Sequence, residues 1–271
     1  MESLGREGTD DARRRSVGDR VIEGRGTPER EWRRSGQLDA LPGIGVDELA
    51  PARVVVVAPH PDDEVLACGG LLSLLARIGR PVTVVAVTDG EASHPGSTRW
   101  SPGLLAARRR EERERGLERL GIASAALSLV SLGIPDGGVV ASEAALHATL
   151  SGAIEPGDAV FTTWRLDGHP DHEATGRATA AACTERGARL WEVPVWTWHW
   201  ARPGDARVPW TRLRRLPLDA DARLHKSRAI AAHGTQLMPS PAEGRAAVLA
   251  DWALARLLRP FEVFIDREPL S

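Results

Sequence analysis

Val54-Val55-Val56-Val57-Ala58-Pro59-His60-Pro61-Asp62-Asp63-Glu64 is the stretch from which the fold can be read. Its run of β-branched residues suits a strand buried on both faces, as in a parallel sheet. Pro59 and Pro61 end that strand and stiffen the loop behind it. A histidine and two aspartates therefore stand at the carboxyl end of a sheet strand, where open α/β folds place their ligands. These side chains read as half of a metal site, and His169-Pro170-Asp171-His172 reads as the other half.

The flanking sequence repeats the strand-then-helix rhythm. Val65 to Ile78 reads as an apolar helix, with Gly69-Gly70 allowing a close approach to the sheet. Pro81 to Thr88 is a second buried strand, followed by the turn-rich loop Asp89 to Gly96. Leu104 to Leu120 is a charged helix that Gly121 ends. Leu127 to Leu132 is the third strand, with Pro135-Asp136-Gly137-Gly138 as its loop. The helix Ser142 to Ile154, the strand Ala159 to Thr163 and the Ala-rich helix Glu173 to Cys183 follow. Leu190 to Trp200 reads as a strand with Trp196, Trp198 and Trp200 on one face. Helices over Leu218 to His233 and Ala246 to Leu258 and a short strand over Pro260 to Ile265 close the chain. Near the start, Thr27-Pro28-Glu29-Arg30 reads as a helix opening with Thr27 as N-cap. The alternation gives an α/β class: a Rossmann-like, doubly wound, mostly parallel sheet with helices on both faces.

The totals narrow the functional classes. The chain has 271 residues and a net charge of -2, so no global basic field points to nucleic acid. Residues 1–20 are polar and charged with little to bury and read as a disordered tail, leaving 21–271 as a single domain. Cys68 and Cys183 are the only cysteines; they imply no disulfide framework, and the expected compartment is the cytoplasm. The amino terminus lacks an apolar run, and no stretch reaches the roughly 18 apolar residues that a membrane span needs. A soluble protein is expected; a homo-oligomer is compatible with the sequence.

The two His/Asp motifs carry the chemistry. Imidazole plus carboxylate with an open position is the ligand set of a hydrolytic zinc site. His60 and one Asp of the first loop supply two ligands, and a His of the second motif supplies the third. Bound zinc lowers the pKa of its water from about 15.7 to roughly 7, and a carboxylate nearby then takes the proton. His169 and His172, three apart at a helix start, can face one site, one as ligand and the other as proton donor or oxyanion partner. Either motif alone reads first as a polar turn; both, each after an apolar strand, make coincidence a poor account.

Pro59-His60-Pro61-Asp62-Asp63-Glu64 together with His169-Pro170-Asp171-His172 resembles the PIG-L or LmbE-like family of zinc-dependent N-acetylglucosaminyl deacetylases. Its members include deacetylases of mycothiol and bacillithiol biosynthesis and of glycosylphosphatidylinositol assembly. The resemblance runs from Val54 to Gln236. It includes Thr88-Asp89-Gly90-Glu91, the helix with Arg109 and Glu112, Pro135-Asp136-Gly137, and Lys226 through His233 to Gln236. It implies one zinc per chain held by His60, Asp63 and His172, with Asp62 as general base. It implies His169 as acid or electrophilic partner, tuned by Asp171, and Arg109 and Asp136 as binders of sugar hydroxyls. Other divalent metals, iron or cobalt among them, suit the same ligands. The implied substrate is an N-acyl amino-sugar or its glycoside. A thiol-sugar conjugate or sugar-bearing natural product is the alternative, and a non-catalytic metal or sugar binder the third reading. The sequence departs from the family at one point. Some members place a Tyr shortly before the second motif, whereas this chain has none. Trp164, Arg165 and Asp167 occupy that region, with Arg165 the candidate for stabilising negative charge.

Glu64 reads equally as support for a ligating His or as a helix-start charge. His94 reads as a solvated loop residue, His147 as structural, and His199 as a packing or surface residue. The Trp row is read as packing, with a sugar-stacking wall as the rival. Lys226 reads as a surface charge, Cys68 as a small buried filler, and His233 and Gln236 as pocket borders.

Overall fold

A computed structural model describes residues 20–267. The strands are β1 (Val54–Ala58), β2 (Val82–Ala86), β3 (Leu127–Ser131), β4 (Ala159–Thr163), β5 (Arg189–Val193), β6 (Leu213–Pro217) and β7 (Phe261–Asp266). They form one sheet in the order β3-β2-β1-β4-β5-β7-β6. β1 to β5 are mutually parallel, with Val54 opposite both Val82 and Ala159, while β7 runs antiparallel to β5 and β6. The longer helices are α1 (Glu29–Ser35), α2 (Asp63–Arg77), α3 (Pro102–Arg119), α4 (Glu143–Ala153), α5 (Pro170–Arg186) and α6 (Ala220–Ile230).

The valine run explains the layering. Successive strand side chains point to opposite faces. Val54 and Val56 pack with Leu71 and Leu75 of α2. Val55 and Val57 pack with Leu146 and Leu150 of α4 and with Ala174 and Ala178 of α5. β1 is therefore buried along its whole length, as a strand covered by helices on both faces must be. A third cluster of Trp32, Trp164, Trp198, Val263 and Ile265 covers the β5–β7–β6 end of the sheet. Among the described residues no helix is long and apolar enough to cross a membrane.

The small residues of α5 let it lie close on β4. A Cβ on Gly176 would stand 2.6 Å from the Thr163 carbonyl oxygen and 2.8 Å from the Arg165 amide nitrogen. Those are backbone atoms that no rotamer change can move. Gly176→Ala should destabilise the fold by about 1–3 kcal/mol, the usual cost of overpacking, read as a lowered thermal midpoint. An unchanged midpoint would refute the close approach.

Several expectations are corrected. The tail expected over residues 1–20 lies outside the described residues except for Arg20, which is buried and pairs with Glu173 at 3.2 Å. The strand expected over Leu190 to Trp200 stops at Val193. Pro194 follows, and Thr197–Trp200 is a helical turn. The Trp side chains thus do not alternate on one face. Trp198 meets Trp32 edge-on, and Trp200 stacks on Trp164. The helix expected over Ala246 to Leu258 shrinks to Asp251–Leu254, because the Leu249 N–H donates to the Gln236 carbonyl at 2.9 Å and ties the preceding segment to another part of the chain. Thr27 does not cap α1; its hydroxyl donates to the Ala201 carbonyl instead. β6 was not anticipated. It is an edge strand with Arg214 and Arg215 at its centre and lacks an apolar alternation.

Candidate active site

Loops from the carboxyl ends of five parallel strands converge in one cavity. β1 lies between β2 and β4, and the cavity opens where the chain leaves β1, the switch point of a doubly wound sheet. The β2 loop braces the β1 loop: the Thr88 hydroxyl donates to the Pro59 carbonyl at 2.8 Å. Gly90 follows with φ +68°. A Cβ there would overlap the Arg109 guanidinium, which donates to the Gly90 carbonyl at 2.9 Å. The Thr88-Asp89-Gly90-Glu91 stretch therefore exists in this form to seat Arg109 of α3. Glu91 accepts the Asp136 N–H at 2.9 Å and ties the β2 loop to the β3 loop.

Asp62 and Asp63 diverge because of backbone shape. Asp62 has φ +144° and is the one non-glycine with positive φ among the described residues. Such a conformation costs of order 1–3 kcal/mol and persists only where surrounding contacts hold it. Here Val65 and Leu66 donate to its carbonyl at 3.0 and 2.8 Å. Its Oδ2 accepts from Arg109 Nη2 at 3.2 Å. Asp63 turns the other way. Its Oδ2 accepts the His60 N–H at 3.0 Å and lies 3.1 Å from His60 Nδ1 and 3.2 Å from His172 Nε2.

His169 takes the N-cap position of α5 with Pro170 in its first turn, so His172 falls one turn later on the cavity side. The ring centroids of His60, His169 and His172 lie 4.9 to 5.3 Å apart. Behind His172, Asp167 Oδ2 sits 2.9 Å from Nδ1 and leaves Nε2 for the cavity. Asp167 also accepts the N–H groups of Val195, Trp196 and Thr197 and the Thr197 hydroxyl. Asp136 Oδ1 and Asp171 Oδ2 lie 3.3 and 3.4 Å from His60 Nε2, and Asp171 accepts the Gly137 N–H at 2.8 Å.

Burial pushes the Asp62 carboxyl up to about 7, against the pull of the Arg109 guanidinium. Burial would raise Asp63 too, but His172 and His60 hold it far below the usual carboxylate range. Burial opposes a charge on His172, yet Asp63 and Asp167 lift it to about 9. Burial, with His172 and His60 nearby, drives His169 down to about 3 and keeps that ring neutral. Burial opposes a charge on His60 as well, yet Asp136, Asp171 and Asp63 raise it, so positive charge is favoured at both rings beside Asp63.

Of the residues singled out from the sequence, His60, Asp62, Asp63, Arg109, Asp136, His169 and His172 line a cavity of about 330 Å³. Ser93, Gln236, Leu66, Trp196, Val248 and Leu249 complete its wall. Asp171 stands against His60 and the β3 loop, and its charge also acts on His169. Arg109 is buried, with both Nη atoms engaged by Pro61, Asp62 and Gly90.

Residues 55–183 match the sequence profile of the PIG-L family, described as GlcNAc-PI de-N-acetylase. The 1D-myo-inositol 2-acetamido-2-deoxy-alpha-D-glucopyranoside deacetylase of Mycolicibacterium vanbaalenii is 30% identical over 254 residues, covering 75% of this chain and 87% of that protein. The chain belongs to the PIG-L family. The enzyme of the same name from Rhodococcus erythropolis is 26% identical over 246 residues, 70% of this chain and 82% of that one. Among solved structures, the A40926 pseudoaglycone deacetylase is 27% identical with a TM-score of 0.55, covering 79% of this chain and 96% of that one. The conserved protein TT1542 of Thermus thermophilus shares the fold at 24% identity and TM-score 0.53, over 80% and 96% of the two chains. This PIG-L protein is accordingly a hydrolytic N-deacetylase.

The residues present fit a metal ion. Donors around one tetrahedral zinc, each about 2.0–2.1 Å from it, lie about 3.3 Å apart. The Asp63 Oδ2 distances of 3.1 and 3.2 Å to the two ring nitrogens are of that size. Ligand atoms of His60, His169 and His172, and of His60, Asp136 and Asp171, also gather within 4.8 Å of one another. The PIG-L protein therefore has a possible His/Asp metal site in its cavity.

Two residues change role between sequence and structure. Arg165 does not reach the cavity. It pairs with the buried Glu192 at 2.7 Å. Asp167, noted only for where it falls, orients His172. The sequence signal for it was there: an Asp-Gly turn after a buried strand, five residues before a ligand-type His.

Proposed function

We propose that this chain hydrolyses the acetamide of an N-acetylglucosamine-type glycoside with zinc at His60, Asp63 and His172. The observation that carries the reading is Asp62, buried and strained, beside the point where two imidazoles converge on one Asp63 oxygen. The His60–Asp63–His172 set is preferred to the three imidazoles because its carboxylate offsets the charge of a divalent ion. When bound, the ion polarises the amide carbonyl and acidifies water. Asp62 takes the proton of the attacking water, with a carboxyl near 7 suited to a base at neutral pH. Arg109 holds Asp62 rather than a sugar hydroxyl. The His169 ring, kept neutral by burial, would hydrogen-bond the developing oxyanion, and the proton that Asp62 takes from the water passes to the leaving amine as the C–N bond breaks. Asp171 steadies His60 and the β3 loop, and Asp136 and Gln236 offer polar edges to the sugar.

A second reading concerns what the sugar carries. Leu66, Trp196, Val248 and Leu249 make one side of the cavity apolar, and Val248 is 41% exposed at the cavity edge. That wall supports an apolar aglycone, as the likeness to the A40926 pseudoaglycone deacetylase also does. Acetate release from N-acetylglucosaminyl inositol and from aryl or alkyl N-acetylglucosaminides separates the two. Chelator should abolish release, and zinc should restore it. Release that survives complete metal removal would refute the reading.

A further inference from the structure

Lys226, the only lysine in the chain, is not a surface charge. It is buried on α6 and pairs with the buried Glu262 of β7 at 2.7 Å. The pair is inserted into the backbone ladder of α2. In an undisturbed helix the Gly70 N–H donates to the Leu66 carbonyl. Here Lys226 Nζ donates to the Leu66 carbonyl at 2.9 Å. Glu262 accepts the Gly70 and Leu71 N–H groups at 2.6 and 2.8 Å. α2 runs as one helix from Asp63 to Arg77, and side chains that take over ladder groups can set the direction of the turns beside them. Gly69 and Gly70 make the room. A Cβ on Gly70 would lie 2.5 Å from the Leu218 side chain and 3.0 Å from Glu262 Oε1, and one on Gly69 would lie 3.0 Å from Lys226 Cγ.

The turn that the pair braces carries the site. Leu66 lines the cavity, and its N–H donates to the carbonyl of the strained Asp62 at 2.8 Å. Lys226 thus grips the carbonyl of the residue whose amide grips Asp62. The geometry points to Lys226 and Glu262 as positioning residues for the deacetylation: their insertion into α2 sets the direction of its first turn, and so where Asp62 and Asp63 aim. The assignment rests on Asp62 and Asp63 acting as base and ligand. β7 lies outside residues 55–183 that match the family, so the pair ties that segment to the site.

The test is the double variant Lys226→Met with Glu262→Met. Apolar replacement of a buried ion pair is often neutral for folding, and the α2 ladder can close. The kcat of the folded, zinc-loaded variant should fall tenfold or more with KM within about twofold, since a displacement of about 1 Å can cost about 10²-fold. The visible spectrum of the protein loaded with Co²⁺ should shift as Asp63 moves. Leu150→Ala, a cavity variant under α4, serves as the control that lowers the thermal midpoint without touching kcat. Should the double variant fail to fold, Glu262→Gln is read the same way. Wild-type kcat and an unchanged Co²⁺ spectrum in a folded variant would overturn the proposal. The spectrum reports Asp63 whichever residue is the base, so an active Asp62→Asn variant would remove the base assignment and leave this result to stand or fall separately.

Discussion

Asp62→Asn should lower kcat about 10³-fold while the chain keeps one bound metal ion. General-base catalysis contributes about 10²–10⁴-fold, and the substitution removes only the basic oxygen pair. Asn has nearly the same shape, tolerates positive φ better than most residues, and can still accept from Arg109 Nη2, which now reaches Asp62 at 3.2 Å. The fold and the His60–Asp63–His172 cluster should therefore survive. Metal content by elemental analysis, thermal midpoint and acetate release decide the matter together. Turnover within a few-fold of wild type would remove Asp62 from the mechanism. Loss of metal along with turnover would instead make Asp62 a ligand. Its neighbour Asp63 already reaches both rings, which is why the two adjacent carboxylates are assigned different work.

His172→Ala should abolish stoichiometric metal binding and reduce acetate release to background. The side chain is almost fully buried at 1% exposure, with Nε2 on Asp63 and Nδ1 on Asp167. Removing it takes away a proposed ligand and strands two carboxylates beside it. Asp167→Asn should have a graded effect, about 10–100-fold weaker metal affinity, the usual cost of losing the partner that orients a ligating imidazole. The charge pattern fixes a pH dependence as well. In the metal-free chain His172 is lifted to about 9, against burial, by Asp63 and Asp167. A proton therefore competes with the metal for Nε2 below that pH, and metal affinity should rise with pH up to about 9. Calorimetric titration with Zn²⁺ across this range measures it, and full metal occupancy in His172→Ala would sink the assignment.

The strand-then-motif units are legible along the chain. Four valines and two prolines around His60 fix a buried strand and a stiff loop whatever the rest of the chain does. Pro170 likewise opens a helix that puts His169 and His172 a turn apart. Local sterics and period decide such features, so β1 to β4, their helices and the cavity-lining His60, Asp62, Asp63, His169 and His172 could be read in order. What faces what across the sheet follows from how the folded chain packs. The Asp167 partners come from three residues after β5. Arg109 reaches Asp62 from α3, and Lys226 and Glu262 enter α2 from α6 and β7. The antiparallel β6–β7 edge and the end of β5 at Val193 also follow from pairing and packing far along the chain. Contacts of that kind depend on strand order and on which charges must be satisfied once water is excluded. Neither is written in the spacing of residues along one segment.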